Sequence, residues 1–315
     1  MKSNDGRKML QHAYLIIAHS NWEQLKVLLQ LLDKENNAIY IHIDAKAKNV
    51  PVDDLQQTVK KAYIEIIQKY KVYWGSFELV QTELLLFAEA HKKHYDYYHL
   101  LSGADLPIKT QKEINDFFEK NRGCEFVQYD TDNRLKEDKE INRRTRLYHF
   151  LQNYRRRYKC KAANAFFTLL ERISLAVQIV FHIDRMKKHP NLTIKYGSQW
   201  VSITDKLVGY ILEQEPLIYD VFHCTNCADE LFIQTLVYNS KFREHLYDKD
   251  YDDDVRGNMR LIDMKTRGHN GNPYTWKISD FDEIKESECL FARKFDRNVD
   301  NEIIKKIYQL NKNGV

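Results

Sequence analysis

His12-Ala13-Tyr14-Leu15-Ile16-Ile17-Ala18-His19 is a short apolar run with β-branched residues near its centre and a histidine at each end. Eight residues are few for a helix, and a run with no polar interruption reads as a strand buried on both faces. Working outward, residues 21–32 set Trp22, Leu25, Leu28, Leu29 and Leu32 at helical spacing, which predicts an amphipathic helix. Residues 38–44 (Ala-Ile-Tyr-Ile-His-Ile-Asp) repeat the buried-strand signature and end in an acid. The alternation continues with a strand over 63–67, a helix capped by Ser76 and running to about 91, and a strand over 95–101. A helix over 111–121 follows, opened by a Thr110–Glu113 capping box, and then a strand over 126–129. Strands alternating with helices predict an α/β fold built on a mainly parallel sheet. Ligands bind such sheets at the carboxyl ends of the strands. Those ends here carry His19, Asp44, Trp74-Gly75 and Asp105.

The chain has 315 residues, enough for one large α/β domain or two modest ones. Apolar residues make up 43% and charged residues 30%, a globular composition. Twenty tyrosines bring flat apolar faces with polar tips, which suit a carbohydrate ligand as well as an ordinary core. Five cysteines (124, 160, 224, 227 and 289) are odd in number and irregular in spacing, so they read as reduced thiols of a cytosolic protein. Cys224-x-x-Cys227 lacks the second ligand pair of a zinc site. The first eleven residues are polar and lack a signal-peptide core, and no run of 18 apolar residues marks a membrane span.

The middle of the chain changes character. Residues 141–170 contain no acid but carry Arg143, Arg144, Arg146, Arg155, Arg156, Arg157, Lys159 and Lys161. Residues 166–183 (FFTLLERISLAVQIVFHI) are strongly apolar and are followed by Arg185, Lys187 and Lys188. A basic, amphipathic segment of this kind can lie in an anionic membrane surface, so 143–188 is a candidate peripheral membrane contact. The competing reading is a helix packed on its own domain with solvated arginines. After it come a strand over 199–203, a helix over 205–214, an acidic loop over 248–254 and a capped helix over 279–287.

Cys227-Ala228-Asp229-Glu230-Leu231-Phe232-Ile233-Gln234-Thr235-Leu236 sets two carboxylates ahead of a helical apolar run. A carboxylate in a helix's first turn is favoured as the anion. Facing a cleft, it can take a proton from an alcohol; facing solvent, it only caps a helix. Four other segments accompany it: His42-Ile43-Asp44, Ser102-Gly103-Ala104-Asp105-Leu106-Pro107-Ile108-Lys109, Tyr196-Gly197-Ser198-Gln199-Trp200 and Leu290-Phe291-Ala292-Arg293-Lys294-Phe295-Asp296. In order and spacing, from about residue 12 to about 308, the set resembles the core-2/I-branching glycosyltransferases, family 14, which include β-1,6-N-acetylglucosaminyltransferases and peptide O-xylosyltransferases.

The resemblance implies a GT-A-like, Rossmann-like mixed sheet with flanking helices, and inverting transfer from a UDP-sugar without a bound metal. It makes Glu230 the base that deprotonates the acceptor hydroxyl. Arg293 and Lys294 would neutralise the departing diphosphate, where other GT-A enzymes hold a divalent cation. Arg forks onto phosphate oxygens and Lys adds a point charge. Asp44, with Lys46 nearby, sits where the family's nucleotide-binding acid lies, and His19 would line the uracil pocket. Trp74, Gly75 and Asp105 fall where the donor pocket continues, and Gln199 and Trp200 fall beside the sugar. Asp105-Leu106-Pro107 also reads as plain turn chemistry, and Trp200 as core. The chain would then be a single domain over 1–315. Residues 12–130 would form the nucleotide-binding half, 131–190 a basic insertion, and 191–315 the acceptor and catalytic half.

There are departures from the family pattern. The second upstream basic residue of the branching enzymes falls at Gly271, with Arg267 and His269 nearby. The membrane anchor and disulfides of the animal members are not evident, which suggests a bacterial-type, cytoplasmic enzyme at the inner face of the membrane. Its acceptor would be a glycan or lipid-linked oligosaccharide of a cell-surface polysaccharide. Two rival readings remain. Asp130-Thr131-Asp132 after an apolar run could hold Mg²⁺ or Mn²⁺ in a metal-dependent transferase. The arginine cluster, interleaved with Tyr148, Tyr154 and Tyr158, could bind nucleic acid. A net charge of only +4 and the lack of a nucleic-acid module argue against the latter, so no nucleic-acid partner is expected.

Overall fold

The computed structural model describes residues 9–132, 138–152, 154, 157–158, 160–269 and 271–313. Among these, the strands are β1 (His12–Ala18), β2 (Asn37–Ile43), β3 (Tyr63–Ile67), β4 (Tyr97–Ser102), β5 (Asp105–Pro107), β6 (Ser202–Thr204), β7 (Arg260–Ile262) and β8 (Phe291–Arg293). The helices are α1 (Trp22–Leu32), α2 (Val52–Thr58), α3 (Glu78–His91), α4 (Gln111–Lys120), α5 (Lys139–Arg146), α6 (Lys161–Val180), α7 (Asp205–Glu213), α8 (Glu215–Phe222), α9 (Phe232–Tyr238), α10 (Phe281–Glu286) and α11 (Asn301–Asn313).

β1 is the centre of a five-stranded sheet ordered β3-β2-β1-β4-β6. The first four strands run parallel, and β6 pairs antiparallel with β4. Strand periodicity splits β1 between two cores. Tyr14, Ile16 and Ala18 pack with Leu25, Leu28 and Leu29 of α1. Ala13 and Leu15 pack with Val80, Leu84 and Phe87 of α3 and Leu207 of α7. Both faces of the sheet are therefore covered, which is why β1 and β2 read as unbroken apolar runs. This is the α/β, GT-A-like mixed sheet with flanking helices that the sequence leads one to expect. A second, three-stranded sheet, β5-β8-β7, carries the C-terminal motif.

Several local expectations hold in detail. Thr110 and Glu113 form a complete capping box at α4, and the strand over 63–67 is β3. Others are corrected. Ser76 does not cap α3; the N-cap position is Phe77, which makes no side-chain cap, and the Ser76 hydroxyl accepts from the Tyr73 amide instead. Residues 126–129 form no strand, because their backbone is shared out among distant segments. Phe126 bridges to Ser202, and Asp130 N–H donates to the Tyr196 carbonyl at 2.9 Å. The strand expected over 199–203 is reduced to β6.

Arg260 on β7 is buried and joins the two sheets. Its guanidinium donates to the carbonyls of Leu100 at 3.2 Å and Val201 at 2.6 Å and to the Ser202 hydroxyl at 3.1 Å. Burial pulls its pKa down to about 9, against the pull of Asp105, so it stays a cation at neutral pH.

α6 has the polarity of an ordinary surface helix reversed. Glu171 is buried, meeting His149 Nδ1 at 2.8 Å and accepting from the Leu151 amide at 3.2 Å. Gln178, one heptad on, accepts from Tyr148 N–H at 2.8 Å and donates to the Tyr148 carbonyl at 2.9 Å. The opposite stripe, Phe166, Leu169, Ile173, Val177 and Val180, is 48–72% exposed. Its spacing places it on one face. At 20 residues, about 30 Å, α6 is long and apolar enough by length and composition to cross a membrane, though the sequence shows no unbroken apolar run of that length. Of the basic cluster, Arg155, Arg156 and Lys159 lie outside the described residues.

Candidate functional site

The carboxyl ends of β2, β1 and β4 form one edge. Asp44 N–H donates to the Ala18 carbonyl at 2.9 Å, and Gly103 N–H donates to the Ile17 carbonyl at 3.0 Å, so the chain leaves β2 and β4 tightly on either side of β1. Two strand spacings, about 10 Å, thus separate the Asp44 corner from the Ser102–Asp105 corner. His19 is exposed just past the end of β1, between them.

At the first corner, Asp44 Oδ1 accepts from Lys46 N–H at 2.8 Å, and Lys46 Nζ lies 3.3 Å from Asp44 Oδ2. The same ammonium sits 4.1 Å from the Tyr73 ring centroid. Arg157, from the basic segment, approaches the same ring at 5.8 Å. Trp74 follows, largely exposed. Gly75 has φ +76°, and a Cβ there would stand 2.5 Å from Asn226 Oδ1, so the position is restricted to glycine. Its carbonyl accepts from Cys227 N–H at 3.0 Å, which ties this corner to the Asp229-Glu230 turn.

At the second corner, Asp105 is not simple turn chemistry. Its Oδ2 accepts from Ser102 N–H at 2.8 Å, and its Oδ1 accepts from Arg293 Nη1 at 2.7 Å. Asp105 and Arg293 are register partners of the antiparallel β5–β8 pair, so the small sheet brings residues 188 apart together. The Arg293 guanidinium also meets the Ser102 hydroxyl and lies 4.5 Å from the Trp200 ring centroid. Trp200 is nearly buried, so it is part of the core and also the platform under Arg293. Lys294 has no side-chain partner among the described residues. Arg293 pairs with Asp105, Arg260 lies close enough to feel the same carboxylate, and Lys294 follows in the chain, so the segment brings three cations to one acid. That is an anion-binding environment.

Residues 196–200 connect the two corners. Gly197 N–H donates to the Glu230 carbonyl at 3.0 Å. A Cβ on Gly197 would fall 2.1 Å from the Gln128 carbonyl, so only glycine lets the chain pass. Gln199 Nε2 donates to Glu83 Oε1 of α3 at 3.0 Å.

The Asp229-Glu230 pair does not sit in a helix's first turn as the sequence suggests. It closes a 3-10 turn, Ala228–Glu230, and α9 begins at Phe232 after the break at Leu231. Cys227 enters the turn with φ 52°. The two carboxylates have different surroundings. Glu230 is one-third exposed and its Oε2 pairs with Arg144 Nη1 of α5 at 3.0 Å. Asp229 is buried. Burial first, and then neighbouring Glu230, push its pKa up to about 7. Glu83, fully buried, is raised well above the carboxylate range by burial and by Asp229. Glu83 Oε2 and Asp229 Oδ1 both lack a hydrogen-bond partner.

A carboxyl with a raised folded-state pKa holds a proton that the unfolded chain releases. Stability therefore falls as pH rises from about 4 to about 7 and is level above that window. Asp229→Asn is expected to raise the melting temperature more at pH 8 than at pH 5. Parallel melting curves for the two proteins across this range would assign Asp229 an ordinary carboxylate environment.

Sequence reasoning missed Ser102, Arg144, Glu83 and Arg260. Ser102 alone carried a signal, as the first residue of its motif. Arg267, near the family's missing basic position, is committed elsewhere: it pairs with Asp263 at 2.7 Å and Glu283 at 2.8 Å. In Asp130-Thr131-Asp132, Asp130 accepts from Thr131 N–H at 2.9 Å while Asp132 pairs with Lys195. Neither acid belongs to a three-donor cluster among the described residues, nor do Cys224 and Cys227. An open groove of about 640 Å³ lies elsewhere, lined by Lys109, Lys112, Lys285 and Lys306, and holds none of the candidate residues.

Comparison with known proteins gives these corners a family. The chain is 22% identical to a xylosyltransferase of Ciona intestinalis over 312 residues, and 23% identical to Homo sapiens xylosyltransferase 2 over 320 residues. These matches cover 92% and 93% of this chain but only about a third of each relative. Mouse xyloside xylosyltransferase 1 in its apo form superposes with a TM-score of 0.37 at 9% identity, over 89% of this chain and 96% of that one; a likeness so slight adds nothing to the fold. The profile of the Core-2/I-branching enzymes matches residues 12–286, which hold the Asp44 corner, Ser102 and Asp105 and the Glu230 turn but stop short of Arg293 and Lys294, and the chain belongs to that family of glycosyltransferases.

Proposed function

We propose that the protein is an inverting glycosyltransferase that moves a sugar from a UDP-sugar to a glycan hydroxyl without a catalytic metal. The observation that carries this reading is the Asp105–Arg293–Lys294 corner, which concentrates cationic charge at the edge where open α/β sheets bind ligands. Asp44 and His19 receive the nucleoside about 10 Å away, across β1. Gln199 and Trp200 border the sugar. The reaction is a single in-line displacement at the anomeric carbon. Glu230 takes the acceptor's proton as its oxygen attacks. Arg293 and Lys294 hold the charge that develops on the departing UDP. The Arg144–Glu230 pair keeps the carboxylate at the border between the insertion and the cleft. Transfer is expected to continue unchanged per folded molecule in excess EDTA, with sugar release from a panel of UDP-sugars as the assay. Loss of turnover on chelation, restored by Mg²⁺ or Mn²⁺ alone, would move the reading to an Asp-x-Asp enzyme.

The reversed polarity of α6 supports peripheral docking to an anionic membrane, with the acceptor a lipid-linked oligosaccharide at the inner face and the product a cell-surface polysaccharide. Glu171 and Gln178 of α6 are spent on the protein, and its apolar stripe faces outward, with Arg172 in the same helix and Lys187 and Lys188 shortly after it in the chain. That combination fits a helix lying in the interface better than one spanning the bilayer. Phe166→Asp combined with Ile173→Asp and Val180→Asp is expected to abolish co-flotation with phosphatidylglycerol vesicles. Equal flotation of variant and parent would count against docking.

A further inference from the structure

We propose that His91, His94 and Asp205 form a binding site for a divalent transition-metal ion of the zinc class, distinct from the cleft. His91 is the last residue of α3, His94 lies in the turn before β4, and Asp205 is the first residue of α7. His91 Nδ1 lies 2.8 Å from Asp205 Oδ1, and His94 Nδ1 lies 2.9 Å from Asp205 Oδ2. The three donor atoms fall within 4.8 Å of one another. Asp205 is not needed as a helix cap, since the Thr204 hydroxyl caps α7 by accepting from Leu207 N–H. The Tyr98 hydroxyl donates to Asp205 Oδ1 at 2.5 Å and orients the carboxylate, as the outer partners of metal ligands do.

The donor chemistry selects the ion. Two imidazole nitrogens and one carboxylate oxygen suit zinc, with water as the fourth ligand, better than calcium or magnesium. Zinc bonds of about 2.0–2.2 Å in tetrahedral geometry set neighbouring ligand atoms about 3.3 Å apart. Each imidazole nitrogen needs to move by only about 0.5 Å from the carboxylate oxygen it now meets, and the three donors already lie within 4.8 Å of one another, with the ion replacing the two Nδ1 protons. His94 is 68% exposed, so an ion reaches the site without unfolding. The site lies at the amino end of β4, some four residues or about 13 Å along the strand from Ser102. Its effect is to clamp α3 to α7, and it takes no part in transfer.

The test uses the full chain stripped with chelator and titrated with zinc chloride by calorimetry, with Co²⁺ absorption as a second readout. The expected result is one tight equivalent in the parent. His94→Gln should weaken binding roughly tenfold or more while leaving the metal-free melting temperature unchanged. Zinc should raise the melting temperature of the parent and not of the variant. No zinc uptake overturns the proposal, and so does uptake that His94→Gln leaves undiminished, since the ion is then held elsewhere. Neither readout uses glycosyl transfer, so failure here and failure of the functional reading are separable.

Discussion

Glu230→Gln is expected to keep donor affinity and lose about 10²- to 10⁴-fold in turnover, the range a positioned base contributes. The substitution preserves shape, and its carbonyl oxygen can still accept from Arg144 where Glu230 Oε2 does now, at 3.0 Å. What disappears is the ability to take a proton. Asp229 cannot stand in, because its side chain is buried. The informative measurement is therefore single-turnover transfer alongside UDP-sugar titration of the same preparation. A rate within a few-fold of the parent would remove Glu230 from the chemistry and leave it as Arg144's structural partner.

Arg293→Ala with Lys294→Ala should weaken UDP binding by roughly 10²- to 10³-fold, taking a charged hydrogen bond as worth about 1.5–3 kcal/mol and the two as not fully additive. The single variants are not equivalent. Arg293→Ala strips Asp105 of its 2.7 Å partner and leaves a nearly buried carboxylate opposite Ser102 and Arg260, so it destabilises the corner as well. Lys294→Ala removes charge alone, because no protein group depends on its ammonium among the described residues. Its expected loss is about 10- to 10²-fold, shrinking as salt screens the contact. Calorimetry with UDP at two ionic strengths reads both effects. Unchanged affinity in Lys294→Ala would mean that the diphosphate lies elsewhere.

What the sequence reveals follows the range of the interactions. The β1–α1–β2 succession was legible because each element's apolar spacing matches its own period and both faces of the sheet are covered. The Thr110–Glu113 cap was legible because capping is local. Residues 126–129 looked like a strand, but no single neighbour takes their backbone, and composition cannot show that. The acids at 229–230 looked like a helix head. The left-handed Cys227 and the extended φ of Leu231 instead isolate a 3-10 turn, and a sequence does not display such a break. Asp105, Trp200 and Arg293 were found through motif order and do gather at one corner, with Lys294 next in the chain. Arg144, Glu83 and Arg260 escaped because each acts on a residue 86, 116 or 160 positions away. In the sequence, Arg144 is one more member of a basic run, while Arg260 resembles any surface cation.

The guanidinium of Arg260 reaches Leu100 on one sheet and Val201 and Ser202 beside it, while its own strand pairs with the one that ends in Arg293. The two jaws of the cleft are thereby riveted at a fixed gauge. A caliper of that kind measures its occupant: if the proposed nucleotide sits between the jaws, one a phosphate shorter is expected to bind more weakly, because it cannot touch both.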